Sequence, residues 1–368
     1  MPSPTENLAE ALHGAYPELS ALRAAATEPV YLVGGAVRDL LLGRGRADLD
    51  VVVEGDAAAL AARLGAEPVE HERFATAKVA LDGYELDIAS ARTETYARPG
   101  ALPEVAPAGL EADLGRRDFT VNAMAIPLAE SPRLIDPYGG RADLEAGLLR
   151  VLHRESFADD PTRAIRAARY ASRFGFGLEP ETAALLRAAD LGTVSADRHE
   201  AELLRLAAEA TAPRGLALLC EWGLLEPREG GIELAARVAE TLASPPWSEF
   251  ASRERALLAA ALGPAGAERD LAATNPESPS AAVELARRHE PVELALARAL
   301  GAVWLDDYLG KWRSVALEID GADLIAAGVA EGPALGRGLR GALRLKLDGK
   351  IAGRDQELAA ALEAVRSA

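Results

Sequence analysis

Apolar residues are spaced in two different ways along the chain, and the change from one to the other divides it. In the first third they form short blocks of strand length, Val30–Val33, Leu49–Val53, 79–81 and 84–89, bounded by turn residues. The last two blocks flank Asp82-Gly83, a dipeptide suited to a tight hairpin. A helical stretch, 36–42, separates the first two blocks, and the turn-rich 43–45 precedes the second. Beyond about residue 140 the blocks give way to apolar residues at helical spacing, as in 160–174, 179–189, 198–210 and 234–242. Most of these segments carry Ser, Thr, Asp or Pro near their starts, the residues that cap or open helices. Pro245-Pro246, 263–266 and 275–280 interrupt the pattern as breakers. No fixed-period repeat is present. The pattern predicts a small mixed α/β head followed by a long all-helical body.

Composition narrows the function. The 368 residues, 49% hydrophobic and 26% charged, suit two to four globular domains at roughly 100–200 residues each. The net charge of −17 excludes holding nucleic acid by bulk positive charge and leaves local basic patches as the alternative. A single cysteine, Cys220, excludes a disulfide framework and a thiolate-rich zinc site. No apolar run approaches the ~18 residues that span a bilayer. Glu6 and Glu10 stand where a signal peptide would be basic and apolar, so a cytoplasmic protein without a membrane partner is expected. The tail runs against the overall charge: Arg337, Arg340, Arg344, Lys346, Lys350 and Arg354 stand near one another with Asp348 the only acid among them. The first three are spaced to share a helix face, either a solvated one or a phosphate-contacting one.

Three stretches carry candidate chemistry. In 31–39, a strand runs into Gly34-Gly35 and a helix opens at once, a turn that serves backbone geometry or brings helix N–H groups to a phosphate. In Asp48-Leu-Asp50, residues two apart on a strand project their carboxylates from one side and call for a cation. Glu85 and Asp87 repeat that spacing on the last strand block. In 116–124, polar Arg116, Arg117, Asp118 and Asn122 alternate with apolar Phe119, Val121 and Met124, so one face is free to hold a ribose and phosphates. The polar segment 91–105, rich in Pro and Gly, reads as a mobile loop.

Taken in order, Gly34-Gly35 with Arg38-Asp39, then Asp48-x-Asp50, then Arg116-Arg117-Asp118-Phe119-Thr120-x-Asn122-Ala123 resemble the class II tRNA nucleotidyltransferases, which include the CCA-adding enzymes and bacterial poly(A) polymerases. Asp136-Pro-Tyr-Gly-Gly140, Asp159-Asp160-Pro-Thr-Arg163 and Ala196-Asp-Arg-His-Glu-Ala-Glu202 resemble the family's later motifs. The resemblance implies a polymerase-β-like nucleotidyltransferase head at 1–145, an all-α neck at 146–205, a body at 206–285 and a tRNA-binding tail at 286–368. It implies addition of C and A from CTP and ATP to the tRNA 3′ end. Asp48 and Asp50 would hold catalytic Mg²⁺, with Glu85 as the third strand acid and Asp87 an extra acid whose role the pattern leaves open. Gly34, Gly35, Arg38, Arg117, Asp118 and Asn122 would bind the nucleotide. Asp160 and Arg163, followed by Arg166 and Arg169 on the same helix, would read or support its base. Asp159 departs from the glutamate usual at its position. Arg337, Arg340 and Arg344 would contact tRNA.

The resemblance leaves open an A-adding or CC-adding enzyme that shares the task with a partner enzyme, a poly(A) polymerase, and a non-catalytic RNA-binding relative. The loop at 91–105 argues against CC-only addition, and 72–78 lacks the Gly and paired basic residues associated with poly(A) polymerases.

Overall fold

The strand blocks of the first third build one mixed sheet. A computed structural model describes residues 4–44, 49–65, 76–81, 84–130 and 132–367. Asp48 and the Asp82-Gly83 turn lie outside the described residues. Two helices, α1 (Pro4–Ala15) and α2 (Leu19–Ala25), precede the strands β1 (Val30–Val33), β2 (Leu49–Val53), β3 (Thr76–Leu81) and β4 (Tyr84–Ser90). A two-stranded ribbon, β5 (Arg92–Thr95) and β6 (Glu104–Pro107), leads on to β7 (Ala125–Pro127). The sheet order is β3-β4-β2-β1-β7, with β2 and β4 parallel and the other neighbours antiparallel.

Central β2 buries Val51, Val52 and Val53 in succession because both of its faces are covered there. At the β3–β4 edge the alternation is clear. Ala77, Val79, Leu86 and Ile88 are buried, while Lys78, Glu85 and Asp87 are exposed on the opposite face. The acids therefore stand on an open sheet face above a sealed one. Helix α3 (Gly35–Leu41) leaves the end of β1, and α4 (Ala57–Arg63) starts from Asp56, whose carboxylate accepts the Ala58 and Ala59 N–H groups.

The chain divides into two compact units, 1–225 and 226–368. The first continues through α5 (Leu110–Gly115), a 3₁₀ turn (Thr120–Asn122), α6 (Gly140–Ala146), α7 (Ser156–Asp159), α8 (Thr162–Phe174), α9 (Pro180–Leu186), α10 (Ala196–Ala207) and α11 (Ala212–Glu221). The short strands β8 (Leu148–Leu149) and β9 (Gly177–Leu178) pair in parallel. The described part of the second unit is helical: α12 (Gly231–Thr241), α13 (Trp247–Phe250), α14 (Arg253–Leu262), α15 (Ala267–Ala273), α16 (Pro279–Ala286), α17 (Pro291–Leu300), α18 (Trp304–Asp307), a π-helical turn (Tyr308–Trp312), α19 (Gly321–Ala326), α20 (Pro333–Leu347) and α21 (Arg354–Arg366). Among the described residues no helix is long and apolar enough to cross a membrane.

One expectation changes. Segment 91–105, read as a loop, contains β5, paired with β6 in register from Arg92↔Pro107 to Thr95↔Glu104. Neither strand buries an apolar residue, so the hydrophobic pattern was silent there. Backbone pairing and ionic anchors hold the ribbon instead.

Candidate active site

The acidic face begins with register. Asp50 of β2 lies directly across the parallel pair from Asp87 of β4, so both carboxylates leave the same face of adjacent strands. Asp87 is exposed, 3.7 Å from Lys78 Nζ. Glu85, the acid expected beside Asp50, stands two residues earlier on β4, also exposed. Level with Asp50 stands Asp87, the acid whose role the sequence leaves open.

The glycine turn meets this strand from the other side. Gly34 has φ +65°, and a Cβ there would lie 2.7 Å from Arg117 Nη1 and 3.6 Å from Asp50 Oδ2. Only glycine admits that approach without strain. The turn before α3, the β2 acid and the Arg116–Asn122 stretch thus converge although they are far apart in sequence.

Buried ion pairs hold that stretch rigid. Asp113 of α5 accepts Arg116 Nη2 at 2.7 Å and Arg117 Nη2 at 2.9 Å. Burial pushes its carboxyl up, and the two guanidiniums overcome that and hold it below the ordinary range. Asp118 is buried too, accepts Arg166 Nε at 2.8 Å and Asn122 Nδ2 at 2.9 Å, and lies 2.6 Å from Arg166 Nη2 in the same ion pair. Burial again acts upward on Asp118, but the Arg166 charge and these hydrogen bonds hold its pKa at about 2. Asn122 Oδ1 accepts Arg38 Nη1 at 2.6 Å, and Arg38 Nε donates to Asp39. Arg38 is itself 4% exposed and packs 4.5 Å from the Phe174 ring centroid. It orients Asn122 from behind.

The helical side of the site starts where α8 is capped. Asp160 Oδ1 accepts the Thr162 N–H, the Thr162 hydroxyl and Arg198 Nη2, the last at 2.9 Å; Oδ2 accepts none among the described residues. Arg163, 5% exposed, gives Nη1 to Ser156 Oγ and Nη2 to the Arg116 carbonyl. Arg169 lies against the Tyr170 ring, with Nη1 3.6 Å from Glu209 and a buried Nε without a partner among the described residues. Asp159 faces His153 at 4.0 Å and supports neither arginine.

A cleft of about 400 Å³ lies between these parts. Arg117 and Asp118 form one side and Asp160, Arg163 and Arg166 another. It is also lined by Glu94, Tyr96, Arg198, Glu202 and Arg205, which were not among the candidates. Arg198 and Glu202 lie within the neck motif noted in the sequence. Glu94 and Tyr96 lie in the polar ribbon and left no signal there. Glu94 accepts Arg116 Nη1 at 2.7 Å and the Tyr96 hydroxyl at 3.0 Å, and Arg198 Nη1 donates to the Gly100 carbonyl. The ribbon is thereby tied to both walls. Asp50, Glu85, Gly34, Gly35, Arg38, Asn122 and Arg169 do not line this cleft. Arg337, Arg340 and Arg344 lie on the exposed face of α20, in the second unit, with Gly338 and Ala342 inward.

Residues 30–150 match the family model described as the poly A polymerase head domain. A CC-adding tRNA nucleotidyltransferase of Deinococcus radiodurans is 36% identical over 91% of this chain and 89% of its own length. The chain belongs to the tRNA nucleotidyltransferase family. Within that family, an A-adding tRNA nucleotidyltransferase of Halalkalibacterium halodurans is 48% identical over 48% of this chain, an alignment spanning 44% of that relative. This chain therefore covers less than half of that relative's length. The Thermotoga maritima CCA-adding enzyme complexed with tRNA superposes with a TM-score of 0.74 and 28% identity, covering 97% of this chain and 98% of that one. CCA-adding enzymes solved alone, with ATP and with CTP share the fold.

Proposed function

We propose that the protein is a template-independent tRNA nucleotidyltransferase that adds C, A or both from CTP and ATP to the tRNA 3′ end. The observation that carries this reading is the single cleft in which the Arg117–Asp118 turn meets Asp160 and Arg163 across the Asp118–Arg166 ion pair. In the reaction the 3′ oxygen of tRNA bonds the α-phosphorus in line, and the α–β bridging oxygen leaves with pyrophosphate. Arg117 and Arg166 supply guanidinium donors to phosphate oxygens. Asn122, locked between Arg38 and Asp118, holds the Asp118 carboxylate in place behind the cleft.

Asp160 Oδ2 accepts from the exocyclic amino group of cytosine or adenine, while Arg163 Nε, unused within the protein among the described residues, donates to the acceptor beside it. Uracil and guanine present a carbonyl where the amino group stands and are refused.

Asp50 and Asp87 are hard oxygen donors side by side, and with Asp48 they suit a divalent cation, for which we propose Mg²⁺. A cation held by these carboxylates would supply charge neutralisation for the triphosphate and would lower the pKa of the attacking hydroxyl. The division into head 1–145, neck 146–205, body 206–285 and tail 286–368, and a cytoplasmic location, belong to this proposal.

The test uses tRNAs ending at the discriminator base, in one C, and in two. Each is incubated with Mg²⁺ and CTP, ATP or both, and the products are sized to one nucleotide. Growth to CCA identifies a full CCA-adding enzyme. Growth that stops at CC, or that begins only from CC, identifies an enzyme needing a partner. No incorporation on any substrate refutes catalysis.

A further inference from the structure

One cation on the acid face of the sheet takes no part in the chemistry above. Asp50 of β2, Asp87 of β4 and Lys78 of β3 form a row across the strands, one residue per strand at one level of the register. Lys78 Nζ stands 3.7 Å from Asp87, with the two side chains 64% and 52% exposed. A pair so exposed contributes little to stability, so packing gives no reason for it. Composition singles out the same residue. Of 40 basic residues only four are lysines, and Lys78 is the only one before residue 311. The ion pairs that fix the cleft walls are arginine's, as in Arg116–Glu94, Arg117–Asp113 and Arg166–Asp118. A guanidinium fork suits a permanent joint, whereas an ammonium on a flexible stem suits a contact that is made and released.

The other end of the row fixes what Lys78 faces. Gly34 and Arg117 crowd Asp50 from the β1 side, since a Cβ on Gly34 would lie 3.6 Å from Asp50 Oδ2 and 2.7 Å from Arg117 Nη1. The row therefore follows the strand order β1-β2-β4-β3, from Arg117 through Asp50 and Asp87 to Lys78. With Arg117 on the phosphates, pyrophosphate leaves toward β1. In-line displacement brings the attacking oxygen from the opposite side, over β4 and β3. Lys78 is the only basic residue on those two strands. We infer that Lys78 is the cation that Asp87 exchanges for the divalent ion, and that the freed ammonium holds the attacking 3′ end by its terminal phosphodiester. The inference rests on the proposed reaction and assigns a residue to the entry side, outside both the motifs and the cleft. A point charge also tolerates the shift of that phosphodiester as the end grows by one nucleotide, which a two-pronged fork resists.

The test uses the whole chain and Lys78→Gln, a change at an exposed side chain. Mn²⁺ is titrated in the absence of nucleotide and RNA, and the free ion is read by electron paramagnetic resonance. Lys78→Gln is expected to bind Mn²⁺ several-fold tighter, because no ammonium competes for Asp87. Extension is then measured on a tRNA with an ordinary terminal phosphodiester and on one carrying a neutral methylphosphonate there. The neutral linkage is expected to raise the tRNA KM roughly tenfold in the wild type and to leave that of Lys78→Gln, already raised, nearly unmoved. The KM values for CTP and ATP are expected to hold in both proteins.

Equal sensitivity of the two proteins to the neutral linkage overturns the contact with the 3′ end, even where Mn²⁺ binding tightens. An unchanged Mn²⁺ affinity overturns the exchange at Asp87. A defect of Lys78→Gln in the nucleotide KM instead of the tRNA KM would put Lys78 on the triphosphate and overturn the direction of entry. A lysine that only shields the sheet edge leaves all of these quantities at their wild-type values, which overturns the inference whole. A wild-type protein that extends no tRNA overturns the proposed function and the contact with it, while the Mn²⁺ titration still reads the exchange.

Discussion

Replacing Arg166 with leucine tests how the two walls of the cleft are joined. Asp118 is buried, and Arg166 is its charged partner through Nε and Nη2. The native carboxyl sits at about 2 against an ordinary 3.8, a difference of about 2.5 kcal/mol at 1.36 kcal/mol per unit. Removing the guanidinium deletes the largest part of that gain and leaves burial opposed only by the Asn122 hydrogen bond and the more distant Arg163 charge, a loss of about 3 kcal/mol, at the low end for buried pairs because Arg166 is 31% exposed. For a unit of this size that lowers Tm by about 6–12 °C.

The sign with pH identifies the cause. In the native protein the depressed carboxyl contributes stability above its unfolded pKa near 4, and loses it as pH falls toward 2. In Arg166→Leu the buried carboxyl rises above its unfolded value, so the deficit shrinks on going from pH 7.5 to pH 4.5 as Asp118 takes up a proton. Adding Asp118→Asn removes the orphaned charge and is expected to recover about half the loss at pH 7.5. Calorimetry of the four proteins at the two pH values decides it. A single variant no less stable than the double, with the same deficit at both pH values, would refute the ion-pair account.

Three further outcomes are expected. Asp50→Asn should lower nucleotide incorporation by at least ~10³-fold with Tm within ~1 °C of wild type, checked by single-turnover assay and calorimetry; activity within tenfold of wild type would remove Asp50 from the site. Gly100→Ala should cost about 1–3 kcal/mol, because φ is +69° and the new Cβ would lie 2.6 Å from the Thr193 carbonyl. Limited proteolysis should then cut the 96–103 tip faster, and an unchanged cleavage rate would count against the docking of the tip. Arg198→Ala frees the Asp160 carboxylate and the Gly100 carbonyl together. Misincorporation of UTP relative to CTP should rise several-fold with stability changed by under ~1 kcal/mol, and unchanged selectivity would show that Asp160 holds its place without it.

Much of the architecture was readable from residue spacing because its causes are local. Valine-rich blocks between turn residues make Val30–Val33 and Leu49–Val53 strands wherever they lie, and the apolar spacing of 160–174 makes a helix up to Gly175. There the structure adds only that the helix opens at Thr162, since Asp160 stays extended to cap it. The β5–β6 ribbon was not legible, because it buries no apolar residue and is held by Glu94, Gly100 and their distant partners. The candidate residues were legible as motifs, but not their division of labour.

Sequence alone determined which residue types are present and which local elements they form: acids two apart on strands, a glycine turn before a helix, an aspartate before a proline-led helix. Only the tertiary structure decided which of these meet. Strand register sets Asp87 level with Asp50, and burial places Arg38 against Asn122. The Asp118–Arg166 pair, 48 positions apart, becomes a structural joint because a carboxylate taken out of water demands a cation wherever the fold brings one. Spacing is a property of neighbours in the chain, whereas charge compensation is a property of neighbours in space.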